Sequence, residues 1–102
     1  MSDNIDQATQ DKLDAAVMRR LIAHLDDRKN VQNIDLMILA DFCRNCLGKW
    51  YKNAADDLGV DMSDEAAKER IYGMPYTEWK KQHQLPASQE QLDKLDEKKS
   101  QK

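Results

Sequence analysis

A chain of 102 residues with 34% charged side chains, and with no apolar run near the ~18 residues that a membrane span needs, reads as one soluble domain. Sixteen Lys and Arg stand against nineteen Asp and Glu, so no basic excess is available to neutralise phosphates, which argues against non-specific nucleic-acid binding. Two cysteines are too few for a disulfide framework, and the opening "MSDNIDQATQ" has no leader-like apolar core, so the expected location is the cytoplasm, where thiols stay reduced.

In chain order, Leu13, Val17, Leu21 and Leu25 recur every four residues, broadened by Ala16 and Ile22, and predict a first helix from about Asp6 to Leu25. The polar "DDRKN" then connects to a second helix, with Asn33 as its expected cap and Asp35 in its first turn. Leu36, Leu39, Cys43, Cys46, Trp50 and Asn53 alternate steps of three and four, which predicts one unbroken helix ending at Gly59, with Gly48 as a possible bend. Ser63, Asp64 and Glu65 open a third helix that stops at Gly73. Pro75 suits the first turn of a fourth, running to about His83 before Leu85-Pro86 breaks it. Ser88 with Gln91 three residues on forms a capping-box pattern for a fifth helix carrying Leu92 and Leu95.

Val, Ile and Thr number only ten and are scattered, too little strand material for a sheet. The fold class is therefore all-α, about five helices in a multihelical array. A single domain is expected over residues 1–95, followed by a frayed polar tail over 96–102 that has no apolar residue to bury.

The chemistry-bearing stretch is "FCRNCLGKWY", residues 42–51, which holds both cysteines in a Cys-x-x-Cys spacing. Three readings compete. A redox pair needs its leading thiol near a helix N-terminus, where the dipole and nearby cations lower its pKa; the periodicity instead puts Cys43 well inside the second helix. Zinc would find four soft or borderline ligands in the whole chain, Cys43, Cys46, His24 and His83, but no common zinc module uses their spacing. Two thiols packed as small hydrophobes is the favoured reading, so no cofactor is expected and zinc is the minority alternative.

His24, four residues after Arg20, reads as a solvated residue or a favourable charge near a helix C-terminus. Asp26-Asp27 and Asp56-Asp57 read as solvated faces, because adjacent carboxylates diverge on a helix. No glycine-rich phosphate loop, nucleophile elbow, His-Glu-x-x-His or paired catalytic acids occur, so an enzyme is unsupported. Trp50 and Tyr51, then Tyr72, Tyr76 and Trp79, lie among lysines. Such residues can stack on single-stranded bases, but in a small helical protein they more often supply a core and a subunit interface.

The second helix also bears on assembly. Residues 34–58 in one straight helix would span roughly 37 Å, comparable with the ~34 Å diameter of a compact chain of this size. With apolar residues on nearly every face of its middle, such a helix must be buried all round, and a two-fold partner is the simplest cover.

"VQNIDLMILADFCRNCLGKWY" (31–51) and "IYGMPYTEWKKQHQLPASQEQL" (71–92) together resemble the short bacterial family catalogued as domain of unknown function 1244, over about residues 10 to 95. The resemblance implies a small multihelical fold forming an intertwined homodimer, and it carries no activity. If the family shares a site, Arg44 and Asn45 of "CRNC" with Trp50, Tyr51, Tyr76 and Trp79 are its candidates. The expected function is a homodimeric helical protein acting through contacts with a protein partner. The alternatives are metal-dependent or thiol-dependent chemistry at Cys43 and Cys46 and, third, single-strand nucleic-acid binding.

Overall fold

The computed structural model describes residues 4–100, and these form six α-helices with no strand among them. They are α1 (Gln7–Asp26), α2 (Asn33–Ala40), α3 (Arg44–Asp57), α4 (Asp64–Tyr72), α5 (Tyr76–His83) and α6 (Gln89–Ser100). Most helix ends follow local chemistry. Asp6 accepts the Thr9 N–H at 2.8 Å to open α1, and Ser63 Oγ accepts the Ala66 N–H at 3.1 Å to open α4. Gly73, at φ 74°, closes α4 in the left-handed conformation that glycine adopts without penalty. Ser88 and Gln91 cap α6 reciprocally, Gln91 Oε1 accepting the Ser88 N–H at 2.7 Å and Ser88 Oγ the Gln91 N–H at 3.1 Å. Pro75 takes the position before α5 rather than its first turn.

The expected second helix is two helices. Asp41 adopts the left-handed conformation at φ 61° and donates its N–H to Met37 O, and the chain re-enters helix only at Arg44. Asp is one of the few side chains that visit this region routinely. Gly48 is not the bend. It lies buried inside α3, where an added Cβ would meet Lys68 Cγ of α4 at 3.2 Å, so its missing side chain brings α3 and α4 into their close packing. Gln32, not Asn33, is the N-cap of α2, its N–H donated to Asp35 Oδ2 at 3.1 Å.

Leu25, Leu47 and Ile71 form the core, with Met18, Leu21, Ile22, Leu36 and Phe42 packed on it. Only the C-terminal half of the α1 stripe takes part: Leu13 and Val17 stay 50% and 68% exposed. A second buried group, Trp79, Arg44 and Tyr72, lies on α5, α3 and the end of α4. The radius of gyration is 16.2 Å and the extents are 49 × 34 × 26 Å, against about 13 Å for a compact chain of this length. Lys98 of α6 reaches to 3.6 Å from Asp41. The ends of the chain, residues 1–3 and 101–102, and the Ser100 side chain lie outside the described residues, among them the last positions of the expected 96–102 tail. Among the described residues no helix is long and apolar enough to cross a membrane.

Candidate functional site

Arg44 organises the middle of the molecule. One of the candidate interaction residues, it is 2% exposed. One Nη donates to Val31 O at 2.7 Å and Asn33 Oδ1 at 3.1 Å, and the other to Arg28 O at 2.9 Å and Leu25 O at 3.4 Å. The guanidinium lies 5.0 Å from the centre of the Trp79 ring. Three of its acceptors are carbonyls at and beyond the C-terminus of α1, near the negative end of the helix dipole, and two of them, Leu25 O and Arg28 O, also accept turn N–H groups. Burial lowers its pKa from the ordinary arginine value, which leaves a residue of this type charged.

The network continues outward. Asn33 Oδ1 also accepts the Arg44 backbone N–H at 3.3 Å, while Asn33 Nδ2 donates to the Tyr72 hydroxyl at 3.1 Å, which in turn donates to Asn45 Oδ1 at 2.7 Å. Burial pushes the Tyr72 hydroxyl well above its ordinary pKa. Gln32, also buried, donates to His83 O at 3.0 Å and accepts the Leu85 N–H at 2.8 Å, clipping the end of α5 to the start of α2. A cleft of about 270 Å³ opens beside these groups, lined by Gln32, Asn33, Asn45, Tyr76 and Gln84 among others. Its lining is rich in amides and offers hydrogen bonds without a carboxylate, imidazole or ammonium for acid–base work.

Cys43 is the N-cap of α3, not a mid-helix residue, and Cys46 lies one turn on. Their Sγ atoms are 3.9 Å apart and both thiols are free. Cys43 is buried and Cys46 half-buried. Burial is the larger influence on Cys43 and raises its thiol pKa, against the backbone N–H groups of Cys46 and Asn45, which favour its thiolate.

The histidines are not gathered to the sulfurs. His24 is exposed on α1, its Nδ1 3.1 Å from the Arg28 guanidinium, and the His83 ring packs 5.5 Å from Trp79. Among the described residues no group of three or more His, Cys, Asp or Glu is placed to hold a metal ion.

The expected aromatic cluster divides by burial. Trp79 and Tyr72 are buried, with ring centres 4.9 Å apart, so neither is a platform for stacking. Tyr76 is half-buried under Lys68, whose Nζ stands 4.8 Å from its ring, and Tyr51 is half-buried on α3. Trp50 is 55% exposed and stacks at 6.2 Å on Phe42. Of the six interaction candidates, Arg44 and Trp79 are buried and touch each other, Asn45 and Tyr76 line the cleft, Tyr51 is half-buried on α3, and Trp50 faces solvent.

Residues 31–97 match the model of a family described as "Protein of unknown function (DUF1244)". The chain belongs to that family. The DUF1244 match begins at Val31, beyond α1, and so is shorter at that end than the expected 10 to 95. It takes in α2 to α5, most of α6, and every side chain of the buried network, leaving outside the Leu25 and Arg28 carbonyls that Arg44 holds and the Asn30 carbonyl that Gln32 holds. A search of curated proteins finds no match.

Sequence reasoning singled out Arg44 and missed what it does. It gave Asn33 only a capping role and Gln32 none. One signal was available: Arg44, Leu47, Gly48 and Ala55 recur at steps of three, one and seven, which places Arg44 on the buried face of α3.

Proposed function

We infer that this DUF1244 protein works as a homodimer and acts through protein contacts, with the apolar surface of α2 and Trp50 of α3 covered by a second copy. One observation supports this above the rest. The sequence of α2, Asn-Ile-Asp-Leu-Met-Ile-Leu-Ala, is the most apolar of the six, yet none of its residues is fully buried in the single chain. Leu39 is 79% exposed and Trp50 55%. A patch of large apolar side chains on an otherwise charged surface marks an interaction site, and closed two-fold pairing is the commonest way for a chain to cover its own patch. No single helix apolar all round is involved, because α2 and α3 are separate helices. Leu39→Asp and Trp50→Asp are each expected to weaken self-association at least about tenfold in a dilution series. Association unchanged in both variants would overturn the reading.

A further inference from the structure

The Cys43–Cys46 pair combines three features that a packed pair of core thiols does not require. Cys43 stands at the N-terminus of α3 in extended conformation, φ −149° and ψ −176°, with Cys46 in the first turn above it. Their sulfurs, 3.9 Å apart, need to approach by only about 2 Å to reach bonding distance, a movement within reach of side-chain rotation. Their exposures also differ, since Cys46 is half-buried and Cys43 buried.

We propose that Cys43 and Cys46 form a reversible dithiol–disulfide site that exchanges with small-molecule disulfides, Cys46 reacting first and Cys43 resolving. The Cys46 thiolate attacks one sulfur of the small disulfide, whose S–S bond breaks and releases one thiolate. The Cys43 thiolate then attacks Cys46 Sγ in the mixed disulfide, forming the Cys43–Cys46 bond and expelling the second thiolate. Two electrons pass from the cysteine sulfurs to the small disulfide, and the two protons given up by the cysteines end on the two released thiols. The usual order in such motifs, with the leading cysteine exposed, is reversed because Cys43 is buried and Cys46 is the more open residue. The pair lies within one chain, so its closure does not depend on two chains pairing.

The test incubates the folded, full-length protein with glutathione disulfide, blocks the remaining thiols and weighs the chain by mass spectrometry. The expected product is two hydrogen atoms lighter than the starting chain, carries no adduct and reverts on reduction. Cys43→Ser is expected to hold one persistent glutathione on Cys46. Cys46→Ser is expected to take up glutathione at Cys43 at least about tenfold more slowly, given its burial. Wild-type protein that reacts only after denaturation, or that accumulates stable mixed disulfides with no internal bond, would overturn the proposal. Equal rates in the two variants would overturn the order of attack.

Discussion

Arg44 carries its charge into a site where, among the described residues, no carboxylate pairs with it, and its stabilisation comes from carbonyl oxygens and the Trp79 ring. Arg44→Ala takes the side-chain donors from Val31 O and Asn33 Oδ1, leaves Leu25 O and Arg28 O with only their turn N–H partners, and opens a cavity, so a loss of about 2–5 kcal/mol is expected in chemical denaturation. Arg44→Lys keeps the charge but not the planar fork, and is expected to cost more than about 1 kcal/mol. Tyr72 gives a pH dependence. Burial raises its folded-state pKa above the ordinary 10.0, so above pH 10 the unfolded chain loses the proton that the folded chain keeps. The stability that Tyr72 contributes is therefore full below that pH and falls as pH rises through the alkaline range. Tyr72→Phe, which strands Asn33 Nδ2 and Asn45 Oδ1, is expected to cost about 1–3 kcal/mol at neutral pH. Its stability, followed by circular dichroism from pH 9 to 12, should fall less steeply than that of the parent.

At the scale of the element, the α2–α3 corner separates what the sequence carried from what it did not. Ser63, Gly73, Ser88 and Gln91 marked helix ends because their chemistry acts within four residues, and the structure uses each of them so. The break at Asp41 was illegible because the three-four spacing of Leu36, Leu39, Cys43, Cys46 and Trp50 runs straight through it. The corner is set by distant partners: Phe42 packs on Leu25, Leu47 and Ile71, and Asn33 Oδ1 takes the Arg44 N–H. For the same reason periodicity puts the cysteine pair in mid-helix, whereas Cys43 opens α3, and it does not show that Arg44 is buried. Asp41→Val, which forces a β-branched residue to φ 61°, is expected to cost about 1–2 kcal/mol in thermal or denaturant unfolding. Gly48→Leu pushes α4 away at Lys68 and is expected to cost about 1–3 kcal/mol, a loss readable in the same experiment.

At the scale of the whole molecule, the single chain is extended and under-buried. Its radius of gyration of 16.2 Å exceeds the ~13 Å of a compact chain, and Leu13, Val17, Leu39, Trp50, Leu58 and Leu85 face outward. A second copy on α2 and α3 would cover part of that surface, and the residual exposure of α1 and of Leu85 is available to the same partner. The most direct measurement is the mass of the wild-type chain in solution, by light scattering over a concentration series at micromolar levels. A dimer gives a mass near twice 11.8 kDa, which is the expected result; a folded, monodisperse species of 11.8 kDa at every concentration would contradict dimerisation.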